Sequence, residues 1–189
     1  MNQKHKLNLK DYIFQENLFT NEFCDLIINE FSQENFSRDA HKNSNKTRFL
    51  GEFILYHQII NKKNSYTRKK ILNDITNNIQ LAIYDYMDHL NIGGIPIKEH
   101  TGISFRKMIE GDHYHQHIDD APGFDHYKIS ISIALNDDYE GGHLNFFNDT
   151  FTIKHKKGDI VMFPSTFFFP HSVSEIKKGT RYQLITWLR

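Results

Sequence analysis

The chain has 189 residues, with 23 Lys and Arg against 23 Asp and Glu, and a single cysteine. The balanced charge lacks the global basic excess that draws proteins to phosphate backbones, and one cysteine excludes both an intramolecular disulfide and a thiolate metal cluster. Hydrophobic residues make up 39%, with 16 Phe and 9 Tyr among them, so a packed, aromatic-rich core is expected rather than disorder. The polar start at Met1 to Lys6 lacks an apolar signal core, and no stretch is long enough to span a bilayer. A soluble cytoplasmic protein with no membrane partner is the expectation, as a monomer or dimer.

In chain order, Leu7 to Phe19 reads as an extended lead-in. Thr20 or Asn21 can cap a helix whose Phe23, Leu26, Ile27 and Phe31 recur at helical spacing. Cys24 lies on that helix and reads as packing, since no catalytic motif surrounds it. Ser32 to Thr47 is polar and loop-like, and Arg38, His41, Lys42, Lys46 and Arg48 make it basic. A solvated loop is the plain reading and a substrate-facing loop the sharper one. Phe49 to Tyr56 is a candidate strand. Ser65 then caps a long helix, in which Ile71, Leu72, Ile75, Ile79, Ala82, Ile83, Tyr86, Met87 and Leu90 form one apolar stripe. Gly93-Gly94 stops it.

After Pro96 the texture changes to short strands. Ile103 to Ile109 and His113 to Asp119 come first. In Tyr127 to Leu135, Ile129, Ile131, Ile133 and Leu135 alternate with Lys128, Ser130, Ser132 and Ala134. That alternation predicts one greasy face for the helices and one small, polar face lining a cavity. Phe151 to His155, Asp159 to Phe163, Phe169 to Val173 and Arg181 to Leu188 complete roughly eight strands. Helices followed by strands predict an α+β fold, a double-stranded β-helix (jelly roll, cupin-like) backed by N-terminal helices. The expected organisation is a single domain over 1–189, with helical support to about 97 and the jelly-roll core from about 98.

The chemistry concentrates in His113-Tyr114-His115-Gln116-His117-Ile118-Asp119. His117 and Asp119 stand two apart on an extended segment, so both point to one face and can hold one metal. His171 is the best placed third ligand. Two histidines and one carboxylate leave the opposite positions open, the ligand set of non-heme Fe(II) oxygenases. Arg181 adds a permanent charge whose fork fits a carboxylate. By the same period of two, His113 and His115 are rivals to His117; Asp120 is the rival to Asp119, but its side chain should point to the other face. His126, His143 and His155 read as surface or supporting histidines, and Arg181 has a plainer reading as a surface ion-pair residue.

From Ile103 to Arg189 the sequence resembles the Fe(II)/2-oxoglutarate-dependent dioxygenases of the prolyl 4-hydroxylase type, and within them the small prolyl-hydroxylase-like proteins of bacteria and viruses. The resemblance rests on Gly111-x-x-Tyr114-x-x-His117-x-Asp119, on Tyr139-Glu140-Gly141-Gly142-His143-Leu144, and on Gly158 to Ser165. His171, Gly179-Thr180-Arg181-Tyr182 and Trp187 complete it. It implies that His117, Asp119 and His171 ligate Fe(II) and carry catalysis, that 2-oxoglutarate and O2 are co-substrates, and that ascorbate is a candidate stimulant. It further implies Arg181, Tyr114, Ser132 and Trp187 as cofactor-binding or cavity-lining residues. The family usually carries a tyrosine nine positions before the first histidine, where its hydroxyl helps hold 2-oxoglutarate; here Met108 stands there. A thioether cannot donate. Either Ser130, Ser132 or Tyr114 compensates, or the co-substrate binds more weakly or sits differently.

The resemblance implies hydroxylation of a C–H bond, first of all in a prolyl residue of a protein or peptide, with release of succinate and CO2. A free amino acid or small metabolite is an alternative substrate. Nucleic-acid demethylation is disfavoured because no basic stripe interleaved with stacking aromatics stands near the motif. A non-catalytic cupin-like module that binds metal or 2-oxoglutarate is the other class. The expected mouth of the site is Tyr114, Trp187 and the loop around Pro122 to Phe124.

Overall fold

The architecture is set by the alternating strand Ile129–Ala134 (β6). Its isoleucines and its serines are all buried, because each face of the strand meets a different layer. The computed structural model describes residues 8–34, 36–38, 51–54, 66–95, 97, 99–120 and 126–189. The Ser65 cap, the His41 to Arg48 part of the basic segment and the Pro122 to Phe124 loop lie outside them.

On one flank β6 pairs antiparallel with Asp159–Pro164 (β10), which pairs in turn with Phe14–Asn17 (β1). On the other it pairs with Arg181–Leu188 (β13), followed by Ser104–Met108 (β4), Gly51–Ile54 (β3) and Ser37–Arg38 (β2). This seven-stranded sheet faces a smaller one, ordered Tyr114–His117 (β5), His171–Val173 (β11), Leu144–Phe146 (β8) and Phe151–Ile153 (β9). A two-stranded ribbon of Glu140–Gly141 (β7) and Ile176–Lys178 (β12) lies apart from both sheets in the pairing. Two antiparallel sheets with helices on one of them make an α+β jelly roll.

The greasy face of the large sheet carries the helices. Helix α1 (Asn21–Phe31) starts at Thr20, whose hydroxyl accepts from the Phe23 amide at 3.2 Å and satisfies one orphan donor of the first turn. Helix α2 (Tyr66–His89) buries Ile71, Ile75, Ile79, Ala82 and Tyr86, a stripe at steps of three and four. These side chains share one core with Ile129, Ile131, Ile133, Ile160, Met162 and Leu184. Cys24 belongs to it, and burial first of all pushes its thiol up to about 11, so it is packing and not a nucleophile. A second core of Leu144, Phe146, Ile153, Val161, Phe163 and Phe169 fills the space between the sheets.

Three elements differ from the expectation. The lead-in forms a 3-10 turn at Leu9–Tyr12 and then an edge strand of the large sheet, because Phe14 to Asn17 find partners in Asp159 to Met162. Strand β5 ends at His117, so Asp119 stands just beyond it. Strand β12 was not expected.

Candidate metal and co-substrate site

His117 and His171 face each other as a cross-strand pair of β5 and β11, which places their rings 4.3 Å apart. Asp119 closes the group, with one carboxylate oxygen 3.5 Å from His117 Nε2 and the other 3.6 Å from His171 Nε2. One ligand atom from each of the three lies within 4.8 Å of the others, and no other such group occurs among the described residues. The rivals His113, His115 and Asp120 are not part of it.

Both imidazoles are oriented from behind. His117 Nδ1 sits 2.8 Å from the His115 carbonyl, and His171 Nδ1 sits 3.1 Å from that of Phe169. A carbonyl only accepts, so each Nδ1 carries a proton and each Nε2 is turned toward Asp119. Burial pushes His171 down to about 4, against the opposing charge of Asp119, so the ring is neutral at pH 7. Burial alone raises the Asp119 carboxyl. The hydrogen bond from His117, the charges of His171 and His117, and the Ser130 hydroxyl outweigh it and hold the group well below the usual carboxylate range. Ser130 donates to Asp119 Oδ2 at 2.5 Å and is itself 2.8 Å from Ser165 Oγ. Two imidazoles and one carboxylate are the donor set that a divalent first-row metal takes. The residues present fit Fe(II).

These three open into a cavity of about 480 Å³ whose wall includes Tyr114, Ser132, Met108, Arg181, Gln183 and Trp187. Tyr114 lies against His117, with ring centroids 4.4 Å apart. Ser132 is buried on the inward face of β6. Arg181 is 1% exposed, which removes the reading of a surface ion-pair residue. Burial lowers its pKa, while the Tyr139 hydroxyl, to which it is hydrogen-bonded, acts in the opposite sense. Room for its stem comes from Gly142, at φ +63°: a Cβ there would stand 3.1 Å from Arg181 Cδ and 2.4 Å from Ile176 Cδ1. Trp187 stacks on Tyr127 at 5.3 Å and 15°, with the Arg106 guanidinium 5.4 Å from its ring. Trp187 is the cross-strand partner of Ser130, the residue whose hydroxyl holds Asp119, so it walls the cavity beside that support.

Residues 103–189 match the family model described as the 2OG-Fe(II) oxygenase superfamily. Over those residues, a little under half of its length, the chain is similar to that superfamily. Its relatives include a PKHD-type hydroxylase of Prochlorococcus marinus (strain NATL2A), 33% identical over 93 residues, 47% of this chain and 41% of that protein. A second, from strain MIT 9215, is 27% identical over 168 residues, 86% of this chain and 69% of that one. The chain thus spans less than half the length of the first curated relative. Among solved structures, the viral collagen prolyl hydroxylase of Paramecium Bursaria Chlorella virus-1 aligns over 94% of this chain and 96% of its own, with a TM-score of 0.67 and 15% identity. The Trichoplax adhaerens prolyl hydroxylase, solved with a hypoxia inducible factor peptide fragment, aligns over 94% and 83%, with a TM-score of 0.68 and 17% identity. At these identities the structures speak to the fold, which is the jelly roll.

Oxygenases of this superfamily use Fe(II), 2-oxoglutarate and O2, and the triad above is where this chain can carry the metal. Four residues around it were not singled out in these roles by the sequence: Ser130 as partner of Asp119, Tyr139 on Arg181, Arg106 beside Trp187, and Gln183. The inward period of β13 was the available signal for the last, because Gln183 shares a face with Arg181 and Trp187. His155 differs from the surface or supporting reading. It is buried, and neither ring nitrogen has a partner among the described residues.

Proposed function

We propose that the protein is an Fe(II)- and 2-oxoglutarate-dependent dioxygenase that hydroxylates a C–H bond, most of all in a prolyl residue of a protein or peptide. One observation carries the reading. A histidine pair and a carboxylate, oriented from behind, open into the same cavity as a buried arginine with no carboxylate partner among the described residues. His117, Asp119 and His171 would hold the metal. The bound metal, with 2-oxoglutarate and O2, supplies the oxidising chemistry that side chains lack.

The chain's own part is positioning. The His115 and Phe169 carbonyls keep the proton on Nδ1 of each imidazole, so both Nε2 atoms stay aimed at the metal position. Ser130 fixes the Asp119 carboxylate. Arg181 receives the carboxylate of 2-oxoglutarate that is not at the metal, and its charge does not titrate away. Leu144, Phe163 and Val173 line the cavity and exclude water from the reacting centre. Trp187 and Tyr127 give a flat aromatic wall with the shape and polarity of a pyrrolidine ring's counterpart. The peptide held by the Trichoplax neighbour supports a peptide substrate. Turnover in the cytoplasm, stimulation by ascorbate, and action as a monomer or dimer belong to the same proposal.

The test is succinate release from 2-oxoglutarate with Fe(II) and O2, over a panel of prolyl peptides followed by mass spectrometry. Succinate and a product heavier by one oxygen are expected from the wild type and from neither His117→Ala nor Arg181→Ala. Metal and 2-oxoglutarate binding without succinate on any substrate would replace the enzyme with a binding module.

A further inference from the structure

The cavity holds a polar group that the proposed chemistry has not used. Gln183 is 3% exposed and stands on β13 two residues after Arg181, on the same inward face. Its Oε1 is buried without a partner, and its Nε2 reaches only Met108 Sδ, at 3.9 Å. Arg181 reaches the same sulfur, with Nη1 at 3.4 Å, and its Nε is also buried without a partner. Two good donors therefore converge on one thioether, a weak acceptor. A buried amide and guanidinium left in that state cost free energy unless a ligand completes them.

Resting on the dioxygenase reading above, we propose that Gln183 is a second anchor for the distal carboxylate of 2-oxoglutarate, and that it replaces the donor lost at Met108. The carboxylate takes the place of the thioether as the shared acceptor: one oxygen meets the Arg181 fork and the other accepts from Gln183 Nε2. Arg181 Nε and Gln183 Oε1 are a complementary donor and acceptor on adjacent inward positions of one strand, and pairing them turns Nε2 toward the ligand. Two of the other candidates are less free, and the third, Ser132, stands opposite Ile185, one inward position farther from Arg181 than Gln183. The Ser130 hydroxyl is committed to Asp119 and Ser165, and the Tyr114 ring lies against His117 at the metal end. Met108 leaves the space that a bulkier tyrosine would fill.

The test is anaerobic calorimetry on the Fe(II)-loaded protein with two titrants. 2-Oxoglutarate carries the distal carboxylate; pyruvate keeps the metal-chelating end and lacks it. Gln183→Met preserves volume and removes the amide. It is expected to weaken 2-oxoglutarate about tenfold or more, the worth of a charge-assisted hydrogen bond, and to leave pyruvate and Fe(II) affinity unchanged. Adding Met108→Tyr to that variant should return most of the loss. Equal weakening of both titrants would make Gln183 a structural residue and overturn the proposal. Wild-type affinity in Gln183→Met, with 2-oxoglutarate lost in Arg181→Ala, would overturn it while leaving the dioxygenase reading intact. A wild type that binds Fe(II) but not 2-oxoglutarate would remove both.

Discussion

The two ends of the cavity are built on opposite terms. At the metal end the groups that hold the ligands are answered: the imidazole Nδ1 atoms by carbonyls, Asp119 by Ser130, and Ser130 by Ser165. At the arginine end, Arg181 Nε and Gln183 Oε1 are buried without partners among the described residues. The first end is rigid before anything binds, as a metal site requires, because ligand rotamers must be fixed to within a fraction of an ångström. The second holds a buried cation whose desolvation the Tyr139 hydroxyl opposes in part, and an anion in the cavity would offset it further. Folding alone does not explain that arrangement, whereas binding a dicarboxylate does.

The contrast can be broken at either end. Replacing a member of the triad should have the largest effect: His171→Ala or Asp119→Ala is expected to bring succinate formation to background and to lose stoichiometric Fe(II), measured by metal analysis after anaerobic desalting. Arg181→Ala comes next. Leaving an anion without its buried partner costs a few kcal/mol, so the affinity for 2-oxoglutarate should fall by on the order of a hundredfold. Arg181→Lys, with the charge but not the fork, should fall between, and calorimetry without O2 reads both. Ser130→Ala tests the rigid end more gently. It removes a support of Asp119 and not a ligand, so Fe(II) affinity should drop about 10- to 100-fold with 2-oxoglutarate affinity at saturating metal unchanged. An unaltered metal isotherm would mean that Asp119 is held without it.

How much of this was legible depends on the range over which each feature is encoded. The inward serines and outward isoleucines of β6 follow from alternation within six residues, and the α2 stripe from steps of three and four, so both read directly from the chain. The His117, Asp119, His171 and Arg181 set was legible as a pattern. Its geometry was not: Asp119 lies beyond the end of β5, so period two could not fix where its carboxylate points; the Ser130 hydroxyl does that, while the cross-strand pairing sets His171 opposite His117. Strand β1 was missed as a sheet member because Phe14–Asn17 is only four residues long and its partners lie in Asp159–Met162. Gln183 carries no motif. Only the register that sets it beside Arg181 and above Met108 gives the amide a role.

His155, buried where it feels the charge of Arg181 but not part of the cavity wall, gives the smallest expected effect. It is pushed down to about 3, by burial first and then by the charges of Arg181 and His143. In the unfolded chain its ordinary value is roughly 6.5. Between these values the unfolded state holds the extra proton, so stability is full above about 6.5 and is lost as pH falls through the window toward about 3. The slope contributed by this one group is at most about 1.4 kcal/mol per pH unit. Urea melts of the metal-free protein at pH 7.5 and 5.0 should show the wild type weakening by about 2 kcal/mol more than His155→Leu. The variant should also be no less stable at pH 7.5, since it removes two buried nitrogens without partners. Parallel losses in the two proteins would mean that His155 meets a hydrogen-bond partner or water in solution. The unpartnered atoms beside the cavity's arginine end would then be Arg181 Nε and Gln183 Oε1, a donor and an acceptor that can pair with each other once a carboxylate takes Gln183 Nε2.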